Sequence, residues 1–194
     1  ENPMIGWRGA SRYYHPRYQD AFFLECEAIR KVRQVFGFSN VKAMVPFCRT
    51  PEEGKRVIEL IGEAGLTQGC AGFEVGVMCE IPSNVILAEE FGEIFDFFSI
   101  GSNDLAQFVF GIDRDNEVIS AIADERHRAF TKTLEGLFEK TRAAGIPVGI
   151  CGQGPSLYPE LTSFLIEQGI ESISVMTDAI PRTIELILNI QEKF

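Results

Sequence analysis

Two acidic residues, Glu80 and Asp104, stand just after short apolar runs, FEVGVMC and FFSIG, and Gly101, Ser102 and Asn103 lead into the second acid. Carboxylates at the ends of neighbouring strands can share Mg²⁺, with substrate oxygens completing its octahedron. A Gly-Ser turn opening a helix offers backbone N–H groups and a helix dipole that favour a phosphate. Cys151 ends a third run, PVGIC, and the GQGPS that follows is a setting in which a thiol becomes accessible and its acidity tunable. Arg8 in GWRGASR and Arg114 in GIDRDN occupy loops from which a guanidinium could grip a carboxylate or phosphate, and Arg49 ends another apolar run. Each of these has a plainer reading. An acid after a strand commonly caps a helix. Arg114 has Asp113 and Asp115 beside it for a salt bridge, and Cys26, Cys48, Cys70 and Cys79 read as inert thiols. His15 and His127 lack a partner motif and read as surface residues, while Met4, Trp7 and the phenylalanines read as packing.

The elements that would position these residues alternate along the chain. Runs at residues 41–47, 73–79, 97–101, 147–151 and 172–175 are short and apolar on both faces, the pattern of buried parallel strands. Helical spacing follows at about residues 50–64, 83–91, 103–110, 156–167 and 180–191, and also covers about 18–36 and 125–144. Thr50-Pro51-Glu52-Glu53 is an N-cap with proline and acids in the first turn, and Gly145 and Gly169 sit where helices end. Five βα units without hairpin signals predict a doubly wound sheet or a β/α barrel. Because a full eight-unit barrel takes about 250 residues, the expectation is an incomplete TIM-type barrel. The polar candidates then share one mouth, at the C-terminal strand ends.

Composition narrows the function classes. A formal charge of −10 without a basic block argues against nucleic acid and anionic membranes, so an anionic ligand needs local arginines or a metal. No apolar run reaches about 18 residues and the first residues carry no signal core, which predicts a cytoplasmic protein with neither membrane span nor secretion. Five cysteines, an odd number with no CxxC, fit reduced thiols.

The segments ENPMIGWRGASR, LECEAIRKVR, MVPFCRTPEE, VMCEIPSN, FSIGSNDLAQFVFGIDRD and GICGQGPS follow one another along essentially the whole chain. In them the chain resembles phosphoenolpyruvate (PEP) synthases, within the PEP-utilising enzymes. Pyruvate phosphate dikinase and enzyme I of the sugar phosphotransferase system share the SIGSND-like segment but usually carry an acidic residue after the CG pair, where this chain has Gln153. The resemblance implies that residues 1–194 are the C-terminal PEP/pyruvate-binding barrel domain, with earlier barrel strands, two further substrate arginines, a phosphohistidine domain and an ATP-binding domain upstream. It implies the reaction ATP + pyruvate + water → AMP + PEP + phosphate, completed only with those upstream domains.

By the same resemblance, Glu80 and Asp104 bind Mg²⁺, and Asn103 with the Gly101 and Ser102 backbone holds phosphate. Arg8 and Arg114 neutralise the substrate, and Cys151 carries the proton of the pyruvate methyl. The implied partners are PEP or pyruvate, the phosphohistidine domain of the same polypeptide, and further copies in a homodimer or larger oligomer. VMTDAIPR departs from a frequent Asn-Pro-Asp and leaves the role of Asp178 open. Two other readings compete: an assembly module with a vestigial site, and a different Mg²⁺-dependent barrel lyase acting on an oxo-acid enolate.

Overall fold

The computed structural model describes residues 5–191; Met4 lies outside them. Five parallel strands, β1 (Ala43–Val45), β2 (Val75–Cys79), β3 (Phe97–Gly101), β4 (Val148–Cys151) and β5 (Ser172–Ile173), form one sheet in sequence order. The helices are α1 (Ala10–Tyr13), α2 (Gln19–Gln34), α3 (Pro51–Glu63), α4 (Pro82–Ile86), α5 (Ala88–Gly92), α6 (Ser102–Phe110), α7 (Arg128–Ala144), α8 (Gly154–Leu157), α9 (Pro159–Glu167) and α10 (Ile180–Gln191). An unbroken sequential order of parallel strands with helical crossovers is the geometry of a β/α barrel, and these five units form an incomplete one.

Strand register divides the sheet into two unlike faces. Val77, Phe98 and Val148 lie side by side, as do Cys79, Ile100 and Ile150. All six are buried in the core that also holds Val57, Phe91, Leu134 and Leu137 from the helices. The opposite face carries Met44, Gly76, Met78, Phe97, Ser99, Gly101, Gly149 and Cys151, with glycines standing beside the larger side chains, as Gly76 does beside Phe97. A barrel turns such a face inward, where side chains from several strands crowd together. Closeness is enforced at Gly101, where an added Cβ would stand 2.9 Å from Cβ of Glu80.

Helix α3 begins where the sequence predicts, with Thr50 Oγ1 accepting the Glu53 N–H and Pro51 in the first turn. Helix α7 starts later than the expected residue 125, because Nδ1 of His127 accepts the Ala129 N–H and so caps the helix, leaving Glu125 in the preceding turn. Two expected continuous helices are broken. The stretch at 83–91 divides at Leu87 (φ −105°, ψ 30°), and the stretch at 156–167 divides at Tyr158 (φ −123°, ψ 97°). Pro159 accounts for the second break, since its ring drives the residue before it out of the helical region. The edge strands also differ from expectation: Met44 in β1 and Ser172 in β5 are exposed, because each edge strand has a neighbour on one side only.

Candidate functional site

The ends of β2 and β3 bring Glu80 and Asp104 together, as the spacing predicts. Glu80 is 5% exposed, and its Oε1 accepts the Phe47 N–H at 2.6 Å. Burial pushes its carboxyl up to about 7; the Phe47 N–H opposes that rise, the neighbouring Asp104 carboxylate adds to it, and Arg8 works against it. Two carboxylates in mutual contact, one of them buried, have a charge excess that a proton or a cation can relieve. This donor set fits Mg²⁺, a hard cation held by one or two carboxylates with water and substrate oxygens as its remaining ligands. Among the described residues no group of three or more His, Cys, Asp or Glu could hold a metal, so a cation here would rely on non-protein ligands.

Both predicted arginines face the acid pair, Arg8 from before β1 and Arg114 from the loop after α6. Arg8 Nη1 lies 3.4 Å from Asp104 Oδ1, and Arg114 Nη1 lies 3.8 Å from Asp104 Oδ2. Arg114 therefore pairs with Asp104 and not with adjacent Asp113 or Asp115. Its loop is held in place by the buried Gln107, whose Oε1 accepts the Arg114 N–H at 3.1 Å. Arg49 has another role. It donates to the carbonyls of Gly6 at 2.7 Å and Arg8 at 3.2 Å and to Ser11 Oγ at 3.2 Å, so it secures the loop carrying Arg8.

Phe47, given no role beyond packing by its sequence, joins these parts. It has φ of 46°, rare for a bulky residue, and its ring lies beneath Arg8 (4.3 Å) and Arg49 (4.8 Å) while its N–H serves Glu80. Gly9 permits this arrangement, since a Cβ there would stand 2.4 Å from the Phe47 Cβ. Buried Asn84 supports Glu80 from below: its Oδ1 accepts the Glu80 and Ile81 N–H groups, each at 3.2 Å, and its Nδ2 donates to the Cys48 carbonyl at 2.7 Å. A polar residue three positions inside a helix start is the only sequence signal for Asn84, and Phe47 has none.

Gly101 and Cys151 are register partners on β3 and β4, so the thiol stands beside the Gly101–Asp104 turn. Cys151 is partly exposed, with Sγ 3.7 Å from Met78 Sδ. Cys26, Cys48 and Cys79 are buried, and burial raises all three thiols, Cys26 to about 11 and Cys48 to about 12. Cys70 departs from the inert buried reading, being exposed on a short turn. The histidines stay out of the site: His127 caps α7, and His15 packs edge-on to Trp7. Asp178 lies in a single turn after β5. A cavity of about 430 Å³ opens beside the site, lined among others by Asn103, Arg114, Glu125, Gln153 and Tyr158.

Residues 1–192 match the family model for the PEP-binding domain of PEP-utilising enzymes. The chain belongs to that family. Curated relatives named phosphoenolpyruvate synthase include those of Synechocystis sp., 52% identical over 99% of this chain and 24% of its own length, and of Aquifex aeolicus, 49% identical over 100% and 22%. The Escherichia coli synthase is 46% identical over 94% of this chain. The chain thus spans about a quarter of the length of these relatives. Among solved structures, a HpcH/HpaI aldolase/citrate lyase family protein from Burkholderia cenocepacia superimposes with a TM-score of 0.53 at 17% identity, covering 76% of this chain and 63% of its own. A HpcH/HpaI aldolase from Desulfitobacterium hafniense gives 0.50 at 11% identity. At such identities the likeness concerns the fold, and it agrees with an open β/α-barrel arrangement. No helix among the described residues is long and apolar enough to cross a membrane.

Proposed function

We propose that this chain is the PEP/pyruvate-binding domain of a phosphoenolpyruvate synthase, the place where pyruvate, as its enolate, takes a phosphoryl group from a phosphohistidine. The observation that carries the reading is the meeting of Glu80 and Asp104 at adjacent strand ends with Arg8 and Arg114 both against Asp104. Glu80 and Asp104 would hold Mg²⁺, which when bound supplies Lewis-acid stabilisation of negative charge on the enolate oxygen. Arg8 and Arg114 would bind the carboxylate and phosphoryl oxygens. Asn103 and the backbone N–H groups at Gly101 and Ser102 would receive the phosphoryl group at the start of α6.

Cys151, on the far side of β3 from Glu80, removes a proton from the pyruvate methyl as the thiolate and keeps it as the thiol. The enolate oxygen then bonds to phosphorus while the phosphorus–nitrogen bond breaks and its electron pair returns to the imidazole. In the reverse direction the Cys151 thiol returns the proton to carbon. The phosphohistidine and the ATP that charges it belong, in this reading, to the portion of the relatives beyond the quarter that this chain matches. The whole enzyme would convert ATP, pyruvate and water into AMP, PEP and phosphate, as a cytoplasmic homo-oligomer with reduced thiols.

Calorimetry with oxalate, a planar stand-in for the enolate, tests the site. Binding should require Mg²⁺ and disappear in Glu80→Ala and Asp104→Ala. Cys151→Ala should keep oxalate binding and lose exchange of pyruvate methyl protons with solvent. Metal-independent binding, or unchanged binding in the two acid variants, would refute the assignment.

A further inference from the structure

Two buried side-chain oxygens of the described residues complete no hydrogen bond, Ser102 Oγ and Glu125 Oε2, and they face each other beside the Cys151 loop. Glu125 is 7% exposed and Ser102 fully buried. A carboxylate so enclosed is costly to ionise unless it is paired or hydrogen-bonded, so its position matters for what it packs against. A Cβ on Gly154 would fall 1.6 Å from Glu125 Oε2, so the carboxylate lies directly against the Gly154 backbone. A Cβ on Gly152 would fall 2.2 Å from Ser102 Oγ, so the hydroxyl lies against the other end of the same tripeptide. Gly152 has φ of 129°, a conformation open only to glycine in practice. The tripeptide 152–154 directly follows Cys151 and is met by Ser102 at its first residue and by Glu125 at its last.

We propose that Glu125 is a positioning residue: with Ser102 it clamps the Gly152–Gly154 loop and so fixes where the Cys151 thiol points. Glu125 comes from the turn before α7, whereas Ser102 opens α6 and the loop ends β4, so the clamp joins three crossovers at one point. Burial raises the Glu125 carboxyl and the nearby Ser102 hydroxyl works the other way, while the clamp itself consists of the contacts with Gly152 and Gly154. The catalytic consequence rests on the pyruvate reading above, but the placement of the thiol does not.

The test is peptide-resolved iodoacetamide labelling of the intact polypeptide, with exposed Cys70 as the internal reference. Glu125→Ala should raise the Cys151 labelling rate relative to Cys70 by about fivefold, because a loop released from its clamp opens more often. Glu125→Gln, which keeps the shape and an acceptor oxygen, should return the rate to within about twofold of the parent. Gly154→Ala must displace the carboxylate and should reproduce the rise seen in Glu125→Ala. An unchanged Cys151 rate in Glu125→Ala and Gly154→Ala overturns the proposal. So does labelling of Cys26, Cys48 and Cys79 that rises in step with Cys151 in both variants, since that reports a general loss of structure. Exchange of pyruvate methyl protons should also fall in Glu125→Ala by about tenfold, and by more than oxalate affinity does. Absence of any exchange in the parent protein would refute the pyruvate reading alone, because the labelling still judges the clamp.

Discussion

At the scale of single residues, Glu80 is the costliest group in the site. Its carboxyl titrates near 7 in the folded chain against 4.5 for an ordinary glutamate. Below about pH 4.5 it is protonated in both folded and unfolded chains and contributes no pH dependence. Between that point and about 7 the unfolded chain gives up a proton that the folded chain retains, so stability falls as pH rises, and it levels off above. The shift corresponds to about 3 kcal/mol lost across the window in the metal-free protein. Glu80→Gln should therefore remove this slope and, at about pH 8, leave the metal-free protein more stable than its parent by about 1–3 kcal/mol. Urea unfolding at both ends of the window measures this; an identical slope in the variant would show that Glu80 is not the group responsible. On the proposed reading, a cation at this position would replace the proton that the burial of Glu80 favours.

At the scale of elements, the site depends on how closely β2 and β3 approach. At the mouth of the site this approach falls on Gly101, whose α-carbon faces the Glu80 side chain. Gly101→Ala would place a methyl 2.9 Å from Glu80 Cβ and 3.2 Å from Oε2, and neither strand can yield without losing ladder pairs. The expected result is a loss of about 1–3 kcal/mol in unfolding free energy together with weaker Mg²⁺-dependent oxalate binding. Denaturant midpoints and calorimetry on the same preparation measure both, and retention of full affinity would mean that the strand ends are more compliant than the register implies. The broken helices matter at this scale too. The division at Tyr158 leaves α8 as a single turn after the Gly152–Gly154 loop, so that loop is tied down less by a long helix than by the side chains pressing on it.

At the scale of the whole molecule, a chain of net charge −10 would, on the proposed reading, hold an anionic ligand through Arg8 and Arg114 and through a cation shared by Glu80 and Asp104. Ligand and metal should consequently bind as a unit and stabilise the fold as a unit. Mg²⁺ and oxalate together, at about 100 times their joint Kd, should add about 2.7 kcal/mol to the unfolding free energy, while either alone adds little. Thermal unfolding with each component and with both measures the coupling; equal and additive shifts would argue against a shared site.

What could be read in the residues alone was mostly what depends on neighbours in sequence. The alternation of apolar runs and helical spacing located the five strands of the described residues, and the placement of Glu80, Asp104 and Cys151 at the ends of three of them predicted a common mouth. The cap at Thr50 was legible for the same reason, since cap and partner are three residues apart. The tertiary structure alone decided which charge meets which. Arg8 and Asp104 are 96 residues apart, and Arg114 passes over two adjacent acids to reach Asp104. It also decided that Arg49 fastens a loop, that the Phe47 backbone serves Glu80, and that Glu125 is buried against Gly154. No local pattern encodes such contacts, because periodicity places a residue on an element's face, and the packing of separate elements determines what that face meets.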